Sequence, residues 1–143
     1  MRLAPVHLHS LDDTARLAEM LAARVRGGDT VALIGGLGAG KTTFTRLFVR
    51  ALGGPTEVTS PTYVLEHEYP IEGKFTIRHW DVYRLGGIPP ELLEPLRGDE
   101  VRLIEWADKF PELLDRSELA IRFEMVDSNH RTALITGVRA AQS

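Results

Sequence analysis

The feature that most constrains this chain is a glycine-rich stretch at residues 35–42, which separates a short apolar run from a helical pattern. The stretch has the sequence Gly-Gly-Leu-Gly-Ala-Gly-Lys-Thr and matches the pattern G-x-x-x-x-G-K-S/T. Glycines let the backbone curl until successive N–H groups point at phosphate oxygens. The helix that follows presents its positive end to the same anion. The stretch therefore predicts a phosphate-binding loop in which Lys41 contacts the β- and γ-phosphates and Thr42 ligates magnesium.

The segments around this loop alternate between strand and helix patterns, which predicts an α/β fold. Residues 30–34 form an apolar run typical of a buried parallel strand, and residues 41–52 carry apolar side chains at helical spacing. An earlier helix, over residues 11–25, begins after the N-cap candidate Ser10. Further strands are expected at residues 5–8, 63–69, 75–80, 101–106, 119–123 and 132–138, with a short helix near Glu91.

These elements predict one domain over residues 1–143 with the architecture of P-loop NTPases. We expect a three-layer sandwich in which helices cover both faces of a mostly parallel central sheet. The strands within residues 63–80 should form an antiparallel hairpin at an edge of that sheet. Nucleotide is expected at the carboxyl ends of the parallel strands.

The composition narrows the function further. A length of 143 residues fits one domain, and a net charge of −3 argues against a basic nucleic-acid-binding surface over the whole chain. The chain has no cysteine, which excludes disulfides and thiolate metal sites. Its five histidines follow no metal-ligand spacing. No apolar run approaches the roughly 18 residues of a membrane span. These features predict a cytoplasmic protein without a membrane partner.

Two carboxylates stand where a phosphate-binding loop needs acidic partners, at the ends of strand patterns. Asp81 follows residues 77–80, and Glu105 ends the apolar run at residues 101–104. Either side chain could hold magnesium, directly or through water, or orient an attacking water. The sequence also allows each to be an ordinary surface acid at a strand end.

Other polar residues support weaker interpretations. A hydroxyl in residues 59–62 could sense a γ-phosphate as a switch loop does, although Ser and Thr beside proline are equally typical of a turn. His79 and Trp106 are more typical of packed side chains than of a base or a stacking platform. Tyr83 and Arg84 could lie at the mouth of a site or on the surface. The N-K-x-D motif of guanine-specific GTPases is absent, which disfavours GTP.

Four ordered blocks give the chain a family resemblance. They are the phosphate-loop block at 35–44, Thr-Ser-Pro-Thr-Tyr at 59–63, His-Trp-Asp-Val-Tyr-Arg-Leu at 79–85 and Leu-Ile-Glu-Trp at 103–106. In these blocks the chain resembles the TsaE family, also called YjeE. The resemblance implies an ATPase of tRNA threonylcarbamoyladenosine formation that binds ATP with magnesium and hydrolyses it weakly alone. It also implies action with the TsaB–TsaD pair, so that tRNA is served indirectly.

The resemblance also implies roles for single residues. Lys41 would contact phosphate and take part in catalysis, Thr42 would hold magnesium, and Asp81 and Glu105 would form the acidic, metal-binding and catalytic side. The nucleotide site would comprise Gly36, Leu37, Gly38, Ala39, Gly40, Lys41, Thr42, Thr43 and Trp106, with residues 60–62 as the switch segment.

The chain departs from the family pattern at three places. Gly36 stands where the family usually has aspartate, which should leave backbone phosphate binding intact but removes a charge near the metal. Trp80 replaces the usual phenylalanine, and the stretch between Arg84 and Glu105 is shorter than usual.

Two other functions remain open from the residues alone. The first is a small-molecule kinase of the P-loop type, although little sequence is left after the loop for an acceptor pocket and an arginine-bearing lid. The second is a nucleotide-gated binding module without significant hydrolysis, in which Asp81 and Glu105 would hold magnesium structurally.

Overall fold

The computed structural model describes residues 4–36, 38–55 and 66–140. Within them, seven strands form one sheet in the order β1-β7-β6-β2-β5-β4-β3. The strands are β1 (Val6–Leu8), β2 (Thr30–Ile34), β3 (Glu66–Ile71), β4 (Phe75–Asp81), β5 (Glu100–Glu105), β6 (Leu119–Asp127) and β7 (His130–Thr136). The helices are α1 (Leu11–Ala22), α2 (Lys41–Ala51) and α3 (Pro111–Asp115), with 3₁₀ helices at Pro90–Leu93 and Ala107–Lys109.

The centre of the sheet is parallel and its edges are antiparallel. Strands β6, β2, β5 and β4 run parallel to one another. The β3–β4 hairpin forms one edge, as predicted, although residues 56–65 lie outside the described part of the chain. The β6–β7 hairpin and β1 form the other edge. The mixed sheet with a parallel centre confirms the predicted fold class.

The helix α1 begins at the predicted cap. The Ser10 hydroxyl accepts a hydrogen bond from the Asp13 amide at 3.2 Å, which satisfies an amide at the helix start. Asp13 in turn accepts from the His9 amide at 2.9 Å, so the reciprocal bond reaches one residue further back than in a standard capping box. The helix ends at Ala22 rather than at residue 25.

The two faces of the sheet are covered to different depths. On one face, α1 and α2 pack against each other and against the odd-numbered residues of β2, β5 and β6. The largest fully buried side chains of this core are Leu21, Leu33, Phe44, Phe48, Ile77, Leu103, Leu119, Ile121 and Phe123. On the other face, the short helices bury a smaller cluster of Ala32, Trp80, Val82, Leu92, Ile104, Ala107 and Leu113.

A buried arginine holds part of this thinner layer in place. The guanidinium of Arg102, on β5, donates to the carbonyls of Glu91 at 3.0 Å and Leu92 at 3.3 Å in the 3₁₀ helix Pro90–Leu93. These bonds join carbonyls of the short helix, among the last ones it presents, to the side chain of a central strand. The short helix expected near Glu91 is therefore present and is fixed to the sheet.

None of the helices in the described ranges is long and apolar enough to cross a membrane.

Candidate functional site

A pocket of about 1030 Å³ opens at the carboxyl ends of the parallel strands. A volume of this size is typical of sites for small molecules and cofactors. One wall, which we call the loop wall, is the segment of residues 35–36 and 38–43, which runs from the end of β2 into the first turn of α2 and lines the pocket from Gly36 onward. The opposite wall, which we call the acid wall, is made by Asp81, Glu105 and Trp106 at the ends of β4 and β5.

The loop wall turns directly into α2. Gly40 caps this helix with a φ of 110°, a left-handed conformation that glycine adopts without strain. Its carbonyl accepts the first helical hydrogen bond, from the Phe44 amide at 2.9 Å. The helix therefore begins at Lys41, and its first amides, which have no partners within the helix, belong to residues that line the pocket.

Lys41 crosses from the loop wall toward the acid wall. Its side chain is buried, and its Nζ donates to the Gly35 carbonyl at 2.5 Å. The same Nζ lies 3.5 Å from the centroid of the Trp106 ring, within the range of a cation–π contact. Burial lowers the pKa of Lys41, while the charges of Glu105 and Asp81 oppose that shift.

Strand register assembles the acid wall. Asp81 on β4 pairs with Glu105 on β5, and Glu105 in turn pairs with Leu33 on β2. Two carboxylates that lie 24 residues apart in the sequence thereby reach the same edge of the sheet, beside the start of the phosphate loop. Carboxylate oxygens and a threonine hydroxyl are the ligands that magnesium prefers. Thr42 also lines this pocket, so the residues present fit a magnesium ion.

The two carboxylates have different surroundings. Burial raises the pKa of Asp81, and the charge of Glu105 adds to the shift, while a hydrogen bond from the Tyr83 amide at 2.9 Å opposes it. Glu105 is almost fully buried, and its Oε2 lies 2.6 Å from Nε2 of His79. Nδ1 of His79 lies 3.3 Å from the Tyr69 hydroxyl. A His79 tautomer with its proton on Nε2 satisfies both contacts, donating to Glu105 and accepting from Tyr69.

Trp106 lies at the end of the acid wall with a φ of 64°. This left-handed backbone is unusual for an aromatic residue. It ends the strand and turns the chain into the 3₁₀ helix Ala107–Lys109, while the Trp106 amide bonds to the Leu33 carbonyl at 3.0 Å. The indole ring is partly exposed and packs against Tyr83, with ring centroids 4.6 Å apart. The predicted strand over residues 101–106 therefore stops one residue early, and Trp106 lines the pocket.

The structure brings most of the residues chosen from the sequence into this pocket. Those that line it are Gly36, Gly38, Ala39, Gly40, Lys41, Thr42, Thr43, Asp81, Glu105 and Trp106. Leu37 and residues 59–62 lie outside the described part of the chain. The expectation that His79 is a packed side chain agrees with its complete burial, but its contact with Glu105 was not foreseen. Tyr83 and Arg84 also line the pocket.

The sequence reasoning missed a third region of the pocket. Arg131, on β7, donates from Nε and a terminal nitrogen to the Gly38 carbonyl, each at 3.2 Å. Ser128 and Asn129, in the turn before β7, line the pocket beside it. No local motif marks these residues, because the antiparallel return of β7 is what brings them to the loop wall.

Comparisons with known proteins identify the family of the chain. The family model described as "Threonylcarbamoyl adenosine biosynthesis protein TsaE" matches residues 8–133. The tRNA threonylcarbamoyladenosine biosynthesis protein TsaE of Bacillus subtilis is 36% identical over 129 residues, which cover 89% of this chain and 81% of that protein. The protein of the same name from Aquifex aeolicus is 33% identical over 135 residues, which cover 93% of this chain and 96% of that protein.

A solved structure shows the same fold. The crystal structure of YdiB from Bacillus subtilis superposes with a TM-score of 0.72 at 31% sequence identity, and the match covers 96% of this chain and 88% of that one. The resemblance inferred from the four sequence blocks is thereby confirmed. The chain belongs to the TsaE family of tRNA threonylcarbamoyladenosine biosynthesis.

Proposed function

We propose that this protein binds ATP with magnesium in the pocket between the loop wall and the acid wall and hydrolyses it slowly. The observation that carries the proposal is the convergence of Lys41, Asp81 and Glu105 on one pocket at the carboxyl ends of β2, β4 and β5. A buried cation beside loop amides suits phosphate groups, and two carboxylates beside a threonine hydroxyl suit a divalent cation.

The proposed roles follow from the contacts. Phosphate oxygens would replace the Gly35 carbonyl as the partner of Lys41 Nζ. Magnesium, when bound by Thr42 and the acid wall, would neutralise phosphate charge. Glu105 would orient the attacking water, because it lines the pocket at the end of β5 and His79 holds one of its carboxylate oxygens in place. Trp106 would lie beside the nucleotide.

The partner is proposed from the family. Members of the TsaE family are expected to act with the TsaB–TsaD pair, and weak hydrolysis by the protein alone fits an ATPase that gains catalytic help in that complex. Arg84, which lines the pocket, is the candidate within this chain for stabilising the transition state. The predicted cytoplasmic location stays a prediction.

The direct test measures phosphate release from ATP by the purified protein, alone and with the TsaB–TsaD pair added. We expect slow hydrolysis alone, a requirement for magnesium, and a rise with the pair. A Lys41→Ala variant controls for contaminating ATPases. Hydrolysis that the pair leaves unchanged would contradict the partner assignment. Phosphate transfer to an added small-molecule acceptor would instead favour a kinase, and tight ATP binding without hydrolysis in either condition would favour a nucleotide-gated binding module.

A further inference from the structure

A cluster of three histidines lies at the rim of the pocket, where β1 meets β7. We call His7, His9 and His130 the histidine cluster. Each offers a ring nitrogen, and these three nitrogens all lie within 4.8 Å of one another. Nδ1 of His7 lies 2.9 Å from Nε2 of His130, and the rings of His9 and His130 stack with centroids 4.1 Å apart.

The fold brings the three side chains together. His7 pairs with Thr132 in the antiparallel β1–β7 ladder, and Leu8 pairs with Arg131. The same register, continued by one residue, sets His9 opposite His130. Because side chains alternate along a strand, His7 and His9 project from the same face, opposite to the buried Leu8. The expectation of no metal-ligand spacing among the histidines therefore missed a pair two residues apart, with His7 on β1 and His9 directly after it, which His130 on the neighbouring strand completes.

We propose that the histidine cluster binds a divalent transition-metal ion, with Zn²⁺ as the ion it suits best. Three neutral imidazoles are a donor set of zinc sites that keep a fourth position open. Zinc–nitrogen bonds are about 2.0–2.1 Å long, so tetrahedral ligand nitrogens lie roughly 3.3 Å apart. The separations in the cluster bracket this value, and small rotations of exposed rings suffice to adjust them.

The donor set separates this site from the magnesium site proposed for the pocket. Magnesium prefers oxygen ligands, whereas imidazole nitrogen suits zinc and its transition-metal neighbours. The cluster offers nitrogen only. The two metals would therefore occupy different parts of the protein, and the zinc site does not depend on ATP binding.

A metal ion at this place would join two regions that border the pocket. His9 directly precedes Ser10, the N-cap of α1, and itself lines the pocket. His130 directly precedes Arg131, which donates to the Gly38 carbonyl of the loop wall. The ion would cross-link β1 to the β6–β7 hairpin beside the phosphate loop.

The test is a calorimetric titration of untagged, nucleotide-free protein with zinc chloride. Nucleotide is left out because its phosphates chelate zinc, and excess magnesium is present so that the oxygen ligands of the acid wall are occupied. We expect saturable binding of about one ion per chain. His130→Ala and His7→Ala should each weaken binding at least about 10-fold, because each removes one of three ligands.

His67→Ala is the matched control, since His67 lies on β3 at the opposite edge of the sheet. It should leave zinc affinity unchanged. Zinc should also raise the melting temperature of the native protein and of His67→Ala by roughly 5 °C, but not that of His130→Ala. The melting temperature without zinc shows whether each variant is folded. If His130→Ala does not fold, His7→Ala, on the exposed side of β1, replaces it in the comparison.

Three results would overturn the proposal. They are the absence of saturable binding, binding that both cluster variants retain, and binding that His67→Ala loses as fully as the cluster variants do. Because the titration is made without nucleotide, its outcome is independent of whether the protein hydrolyses ATP.

Discussion

The loop wall and the acid wall border the same pocket but are built in different ways. The loop wall is one stretch of the sequence, and its shape depends on the local conformations of glycines such as Gly35, Gly38 and Gly40. The acid wall consists of side chains from two strands, held by the β4–β5 register and by the buried contact between His79 and Glu105. If the proposed function holds, substitutions in the loop wall should affect mainly ATP binding, and substitutions in the acid wall mainly turnover.

Two substitutions, one on each wall, should have the largest effects, and the first is on the loop wall. Lys41→Ala should weaken ATP binding about 100-fold, or about 2.7 kcal/mol, because it removes the buried cation of the pocket. Titration calorimetry with ATP and magnesium measures the affinity. Lys74→Ala, in the turn between β3 and β4, is the control and should bind as the native protein does. Unchanged affinity in Lys41→Ala would remove the phosphate assignment.

On the acid wall, Glu105→Gln should lower turnover by about 100-fold while ATP affinity stays within about 3-fold. Glutamine keeps the shape but cannot act as a base or carry a charge. Steady-state kinetics with the TsaB–TsaD pair and calorimetry give the two numbers, and Glu124→Gln, an exposed position on β6, is the control. An equal loss of ATP affinity and turnover would make Glu105 mainly a binding ligand. The two walls would then not differ in function.

His79→Ala tests whether placement matters on the acid wall. We expect turnover to fall about 10-fold with little change in ATP affinity, because Glu105 loses the contact at 2.6 Å that positions it. His79→Gln keeps a donor and should recover part of the activity. His67→Ala, at the position paired with His79 on β3, is the neighbouring control. If both His79 variants lose turnover only in proportion to the fraction of protein that is unfolded, His79 has a structural role only.

Asp81→Asn should raise the melting temperature of the nucleotide-free protein by roughly 2 °C at neutral pH. Burial and Glu105 raise the pKa of Asp81, so the folded state holds a proton there more readily than the unfolded state does. The charged carboxylate therefore costs stability above that pKa, and the cost disappears as the pH falls through it. The difference in melting temperature between Asp81→Asn and the native protein should therefore shrink as the pH falls.

Melting curves across the acid range measure this difference, and Asp99→Asn, an exposed residue, is the control. A variant less stable than the native protein at neutral pH would show that Asp81 is not under strain in the acid wall.

The smallest effect is expected at Gly36, where the family usually has aspartate. A Cβ built there meets no atom within 4 Å, so Gly36→Asp should keep ATP affinity within about 3-fold. Gly35→Ala is the contrast, because its φ is +148° and its Cβ would lie 2.7 Å from the Phe123 carbonyl oxygen. If Gly36→Asp lost as much ATP affinity as Gly35→Ala, binding at the loop wall would depend on more than backbone conformation.

Much of this molecule could be predicted from the sequence because its signals are local. The phosphate-loop pattern, the cap at Ser10 and the apolar run of β2 each lie within a few neighbouring residues, and each appears in the structure at or near its predicted place. Asp81 and Glu105 were found because each ends a strand pattern. The observed helix and strand ends differ from the predicted ones by up to four residues, as at the end of β6, since tertiary packing decides how far an element continues.

The sequence by itself determined the glycine-rich loop, the helix that follows it and the family, because local backbone conformation and motif order are properties of the linear chain. Only the tertiary structure decided which distant side chains meet. The contact of His79 with Glu105, the approach of Arg131 to Gly38 and the gathering of His7, His9 and His130 all depend on strand order and register. Register is set by the burial of whole faces of the sheet, a property to which every strand contributes and which no single segment encodes.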